Sequence, residues 1–333
     1  VLGLCLRVVL GWLYGWGSWL VRIYKAHIEF VQDDVSVSLY AVRSVDEFYR
    51  VDGEAARSII DRSYLEFGEA GEFRTIVSRE DLEIYIEFLA EQIKLTEIPE
   101  KKVVLACSMG KDSAAGFIIL YELWNRGVLK YKPIAVFTYM PILEDIILKL
   151  SDRFMSKFGE FLHIIEVPKS TILEKLQTTG YPTLQEKWCR ALKMGSIKKF
   201  MKQLGKENVV YAECERLFES VKRLRSLYGA RAVFPKKIQP VIYLTESDVM
   251  TICKMYGVVH GMYEYGAPRT SCALCPYAPA TNHILHIKIC EKLSIDIEPL
   301  IKSMQKLVRY YTDLGFGDKI RTELDVIKYG LYS

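Results

Sequence analysis

The stretch ACSMGKDSAAGFIIL, residues 106–120, packs Ser108, Gly110, Lys111, Asp112 and Ser113 into one short turn. An apolar run, KKVVLAC (101–107), leads into it, and a helix-forming run leaves it. This reads as a strand-to-helix turn. Such a turn presents backbone N–H groups at the start of a helix, where negative charge is favoured. Gly110 is expected to supply a backbone conformation closed to other residues. Lys111 adds a mobile cation, Ser108 and Ser113 add hydroxyls, and Asp112 caps the helix or orients Lys111. The plainer alternative is an ordinary capped turn with no ligand.

Outward from the turn, strand and helix patterns alternate. KPIAVFTYM (132–140), FLHIIEV (161–167), NVVYAEC (208–214) and KIQPVIYL (237–244) read as further strands, the last with Pro240 as an edge feature. Helices are expected at 112–125, 142–158, 170–178 and 189–204, and over TESDVMTICKMYG (245–257) with Thr245 as cap. This alternation implies an α/β fold with a parallel sheet, whose ligands sit at the carboxyl ends of the strands. Upstream, IEFVQDDVSVSLYAV (28–42) suggests a strand pair, and REDLEIYIEFLAEQIKL (79–95) an amphipathic helix. The chain therefore divides into a smaller N-terminal α+β part (1–99), a sheet domain (100–292) and a C-terminal helical extension (293–333). The opening VLGLCLRVVLGWLYGWGSWLV (1–21) has the length of a membrane span. Arg7 and four glycines argue against one, so a buried segment is the expected reading and a membrane partner is not.

The chain has 333 residues, half of them hydrophobic, enough for one large core with an appendage. Its 45 basic and 41 acidic residues are mixed along the chain, which is not the footprint of a dedicated nucleic-acid binder. The eight cysteines are spread through a chain too large for a disulfide scaffold, which points to a reducing cytoplasm. Cys272 and Cys275 form C-x-x-C, a spacing that brings two thiolates to one metal or makes a redox pair. His283 and His286 share a helical face, where packing or surface roles are preferred over a metal pair. Cys107, Cys253 and Cys5 read as packing residues.

Four stretches, in one order, resemble a known family. SMGKDS (108–113) looks like the PP-loop, S-x-G-K-D-S, of the adenine-nucleotide alpha-hydrolase group. GYPTLQEKWCRALKM (180–194), CERLFESVKR (214–223) and YEYGAPRTSCALCPYAP (263–279) resemble the phosphoadenylyl-sulfate (PAPS) reductase family within that group. The resemblance spans about residues 100–290 and implies an adenine-nucleotide ligand, ATP or PAPS/adenylyl sulfate, with Mg²⁺. It implies that Ser108, Gly110, Lys111, Asp112, Ser113, Arg216, Ser220, Arg223 and Arg269 hold the nucleotide, and that Lys111 and Asp112 serve the chemistry. Arginines suit phosphate or sulfate oxygens because their charge is permanent and forked. Without the family pattern, the same arginines read as a solvated helix face paired with Glu215 and Glu219. Lys187, Arg190 and Lys193 are further candidates to line the pocket. The iron–sulfur branch implies a [4Fe–4S] cluster on Cys189, Cys272, Cys275 and Cys290, and zinc on the same ligands stays open. Two departures stand out. Cys214 replaces the family's glycine, and Thr138 stands where an acidic residue is usual, with Glu144 and Asp145 later.

The resemblance implies an ATP pyrophosphatase of sulfur metabolism that adenylylates an acceptor and replaces the activated oxygen with sulfur. A PAPS or adenylyl-sulfate reductase is the first rival, though the tail RTELDVIKYGLYS (321–333) lacks the cysteine that thioredoxin-linked members use. A nucleotide-binding subunit that needs a catalytic partner is the second. The partners implied are an adenine nucleotide, a sulfur donor or redox protein, an RNA acceptor and a second copy in a homodimer.

Overall fold

The structure is a computed structural model and describes residues 20–23, 27–32, 35–40, 76–183, 186–219, 231–276, 278 and 280–313. The first nineteen residues, Cys5 among them, lie outside this set, as do Ser220 and Arg223. Among the described residues no helix is long and apolar enough to cross a membrane.

Near the N-terminus β1 (Leu20–Ile23), β2 (His27–Gln32) and β3 (Val35–Tyr40) form an antiparallel sheet in chain order. The expected pair is therefore a triplet, with β1 paired through Leu20–Val31 and Ile23–Ile28. Next comes α1 (Arg79–Lys94), started by a capping box in which Ser78 and Asp81 satisfy each other's backbone N–H groups. Leu82, Tyr85, Ile86, Leu89 and Ile93 recur at helical spacing and are buried. The Tyr85 hydroxyl donates to the Pro240 carbonyl at 2.9 Å, so α1 shares the core of the large sheet.

The large sheet holds β4 (Lys102–Ala106), β5 (Ile134–Tyr139), β6 (Leu162–Glu166), β7 (Val209–Ala212), β8 (Val233–Phe234) and β9 (Lys237–Ile238). Their order is β6-β5-β4-β7-β9-β8, parallel except for β8 against β9. The fold is α/β with a mostly parallel sheet, as the alternation predicts. The helices are α2 (Lys111–Asn125), α3 (Asp145–Lys149), α4 (Asp152–Phe158), α5 (Lys169–Thr178), α6 (Trp188–Gln203), α7 (Glu246–Met255), α8 (Ala280–Lys292) and α9 (Glu298–Asp313). Alternation along β4 divides its side chains between two cores. Val103 and Leu105 face the main cluster with α2, while Val104 meets Ile197 of α6 in a smaller one.

Two expectations fail for local reasons. Residues 142–158 were expected to form one helix and instead form α3 and α4. The Leu150 carbonyl accepts from Gly261 N–H at 2.9 Å, which takes it out of a continuous helix. KIQPVIYL keeps only two strand residues. Pro240 has no N–H to give, and Gln239 N–H is drawn back to the Ala232 carbonyl at 2.7 Å, closing the β8–β9 hairpin.

Chain order explains where a ligand would sit. From β4 the chain steps to β5 and β6 on one side, then returns to β7 on the other. The crevice at the carboxyl ends of β4 and β7 is thus the point where strand order reverses, the usual ligand position in open α/β sheets. Residues 107–110 follow β4 there, and residues 213–216 follow β7.

Candidate functional site

The strand-to-helix turn is built differently from its sequence expectation. Gly110 has φ −74° and ψ 167°, an ordinary extended conformation, and Met109 carries the left-handed φ of 58°. Glycine is required at 110 for space: a Cβ there would meet Thr270 Oγ1 at 2.0 Å and Thr270 Cβ at 3.2 Å. Ser113 Oγ donates to the Gly110 carbonyl and accepts from Ser108 N–H, tying the turn across its mouth. The Met109 amide hydrogen-bonds the Cys107 thiol, while the amides of Gly110, Asp112 and Ser113 donate to no acceptor among the described residues. The Lys111 amide donates to the Tyr263 hydroxyl at 3.2 Å.

Lys111 is buried, only 5% exposed. Its Nζ lies 3.2 Å from Glu246 Oε1 at the start of α7 and 3.4 Å from the Pro268 carbonyl. Burial works against its charge, yet Tyr263, Asp112 and Glu246 outweigh that and hold its pKa above the ordinary lysine value. Asp112 turns to the other strand end, where its Oδ1 pairs with Nε of the fully buried Arg216. The turn and Arg216, the first arginine of the 214–223 stretch, thus meet across the crevice. Cys214 causes no backbone strain, since it is absent from the positive-φ residues. It packs against α2 instead: a Cβ on Gly116 would stand 2.3 Å from Cys214 Sγ.

Arg269 lies between Pro268 and Thr270, two residues before the Ser271 contact with α8. Pro268 and Thr270 touch the turn, while Ser271 Oγ lies 3.3 Å from His286 Nε2 and the charge of Arg269 acts on His286. Lys187 and Arg190 are exposed at the start of α6. Thr138 is buried at the end of β5, and its hydroxyl has no partner among the described residues.

A second polar group gathers behind the C-x-x-C. Lys193 Nζ pairs with the carboxylate of Glu144 and lies 3.4 Å from Cys272 Sγ. Glu144 is 1% exposed and also accepts from Met140 N–H at 2.9 Å. Burial raises its pKa to about 8 against the pull of Lys193. Cys275 hydrogen-bonds Cys272, and Cys189 is close enough to act on Cys272 electrostatically. Burial and the Cys272 charge raise Cys189, while the Cys275 contact and burial push Cys272 well up. Cys290 stands apart: burial and then Asp145 push its thiol up to about 12. Among the described residues no three His, Cys, Asp or Glu side chains stand together as a metal site. Of the four cysteines expected to hold a cluster or zinc, Cys189 and Cys275 each lie near Cys272, while Cys290 packs in the core. Cys107 and Cys253 are buried, and burial raises their thiols to about 11 and about 12, as packing residues.

Sequence reasoning missed Tyr263, Glu246 and Glu144. Glu246 was legible only as a first-turn acid of a capped helix, and nothing in the chain order announces that α7 packs against α2. Glu144 was noted as an acid out of place, without its partner Lys193.

No family model matches the sequence, and no curated protein matches it. Among solved structures the chain is similar to the U34-tRNA thiolase NcsA from Methanococcus maripaludis, with its [4Fe-4S] cluster, at 12% identity and TM-score 0.39, over 76% of this chain and 80% of that one. It is similar to the ammonia-dependent NAD synthetase from Campylobacter jejuni at 17% identity and TM-score 0.38, over 68% and 93%. The NAD+ synthetase from Burkholderia pseudomallei gives 17% identity and TM-score 0.36, over 62% and 84%. Likenesses this distant carry no residue role across.

Proposed function

We propose that this chain binds ATP at the 108–113 turn and activates an acceptor by cleaving between the α- and β-phosphates. The observation that carries this reading is the turn itself: three amides, of Gly110, Asp112 and Ser113, without an acceptor among the described residues, beside the buried cation of Lys111. Such a cradle suits the polyphosphate. In the reaction an acceptor oxygen attacks the α-phosphorus, the bond to the bridging oxygen breaks, and pyrophosphate leaves. A sulfur nucleophile then displaces AMP from the acceptor. Charge develops on the leaving pyrophosphate, where Lys111 stabilises it once phosphate displaces Glu246 from Nζ. Asp112 keeps Arg216 turned into the crevice as a second cation. Mg²⁺, when bound with the nucleotide, supplies further neutralisation of the phosphates.

The test is equilibrium binding of ATP to the wild type and to Lys111→Ala. Loss of one charge-assisted contact predicts binding weaker by about tenfold or more. Equal affinities would remove the basis of the reading. Pyrophosphate release that requires an added RNA or small acceptor identifies the second substrate.

One observation favours the reductase reading: Lys193 beside Cys272, with Cys275 adjacent. Cys272 would attack the sulfur of a sulfated adenine nucleotide and release the nucleotide phosphate. Cys275 would then attack Cys272 Sγ, releasing sulfite and leaving a disulfide for a dithiol reductant. Sulfite released from PAPS, and lost in Cys272→Ser, would select this reading. Inertness in both assays would select the subunit that needs a catalytic partner.

A further inference from the structure

Helix α8 buries more polar nitrogen than the protein satisfies. Asn282, His283 and His286 are 1%, 2% and 0% exposed. They occupy adjoining positions on one helical face, at i, i+1 and i+4. Asn282 Nδ2, His283 Nδ1 and His286 Nδ1 are buried and have no hydrogen-bond partner among the described residues. Buried polar atoms are nearly always paired, so three orphans on one face indicate a missing polar guest. Both imidazoles are fixed from outside. His283 Nε2 lies 2.8 Å from the Cys275 carbonyl, and His286 Nε2 lies 3.3 Å from Ser271 Oγ.

The chemistry of the set selects the guest. A carbonyl only accepts, so His283 carries its proton on Nε2 and offers a bare lone pair at Nδ1. Asn282 offers N–H groups. His286 is neutral, since burial, His283 and Arg269 lower its pKa to about 4, and its Nδ1 gives or takes according to tautomer. The guanidinium of Arg269 supplies permanent positive charge at His286. A metal cation is opposed by that charge and by the amide donors. Sulfate has oxygens to accept but no hydrogen for His283. Hydrogen phosphate has both: bare oxygens for Asn282, His286 and Arg269, and a P–OH for His283 Nδ1.

We propose that Arg269, Asn282, His283 and His286 form a binding site for hydrogen phosphate, free or as a phosphate monoester, separate from the 108–113 turn. Pro268 and Thr270 close the turn, while Ser271 meets α8 and the charge of Arg269 reaches His286, so one short segment serves two anion sites. The site does not depend on the turn binding ATP.

The experiment is calorimetric titration of the full chain with inorganic phosphate, and separately with sulfate, in a Lys111→Ala background that disables the turn. One phosphate should bind, about tenfold more tightly than sulfate, as one extra buried hydrogen bond requires. Asn282→Leu, similar in size but without the amide, should weaken phosphate by about tenfold while the circular dichroism spectrum stays native. Absence of phosphate binding in Lys111→Ala would overturn the proposal, as would equal affinity for sulfate, a comparison that needs no second variant. Unchanged affinity in a folded Asn282→Leu protein would also overturn it. Competition by glycerol phosphate assigns the site to a monoester, and its absence assigns it to the free ion; the proposal stands in either case. Loss of ATP binding in Lys111→Ala with phosphate binding retained supports both readings separately.

Discussion

At the scale of single residues, the turn shows how a motif can be right for a reason other than the one first given. Glycine in S-x-G-K-D-S invites an argument from positive φ, but Met109 takes the left-handed position and Gly110 makes room for Thr270. The two explanations differ in what they predict. If φ were the constraint, changing Thr270 would not matter. Under the steric account Gly110→Ala should cost about 1–3 kcal/mol of stability from overpacking. Thr270→Ala in the same chain should recover part of it, because the nearest obstacle, Oγ1, is gone. A double-mutant cycle on urea midpoints reads the coupling, expected at about 0.5 kcal/mol or more for side chains in contact. Zero coupling would return the argument to the backbone. The clash was not legible in the sequence, because Thr270 is 160 positions away and reaches the turn only through the fold.

At the scale of elements, the seam between β7 and α2 fixes the two halves of the site. Cys214 Sγ and Pro240 Cγ sit where a Cβ on Gly116 would be, at 2.3 and 3.2 Å. Gly116→Ala should therefore destabilise by about 1–3 kcal/mol and separate Asp112 from Arg216, weakening nucleotide binding as well. Stability alone would change if the seam were only packing, so both thermal melting and ATP affinity need measuring. Helix α7 makes a second seam. Its cap Thr245 and Asp248 satisfy each other, and Asp248 Oδ1 also accepts from Ile76 N–H at 2.8 Å. Thr245→Ala should cost about 0.5–2 kcal/mol, with the larger value expected for this buried cap. The Thr245 cap, the strand β4 and most helices were readable because they depend on neighbours in sequence. What was not readable depends on carbonyls and side chains recruited from afar. Gly261 at the Leu150 carbonyl splits 142–158, and Glu246 and Tyr263 come to Lys111 from the far end of the domain.

At the scale of the whole molecule, buried titratable groups spread through the core set how stability responds to pH. His260 is 3% exposed, gives Nε2–H to the Ile147 carbonyl and accepts from Met262 N–H at Nδ1, so it is held neutral. Burial lowers its pKa, and that of His286, from 6.5 to about 4. Between those values the unfolded chain binds two more protons than the folded one, so these groups add stability as pH rises from about 4 to 6.5. Glu144 acts in the opposite sense. Its pKa rises from 4.5 to about 8, so the folded state holds a proton that the unfolded chain has lost, and stability falls as pH rises through that window. Between pH 4.5 and 6.5 two histidines oppose one carboxyl and the net slope is upward. From 6.5 to about 8, of these three groups only Glu144 acts and the slope reverses. Stability should therefore peak near pH 6.5 and fall on both sides. Urea midpoints at half-unit steps from pH 5 to 8.5 trace this curve. Glu144→Gln should flatten the alkaline limb and leave the acid limb in place, while His260→Gln should shallow the acid limb only. An alkaline limb unchanged in Glu144→Gln would mean that Lys193 already holds Glu144 ionised, and the charge beside Cys272 would then be a settled ion pair at neutral pH.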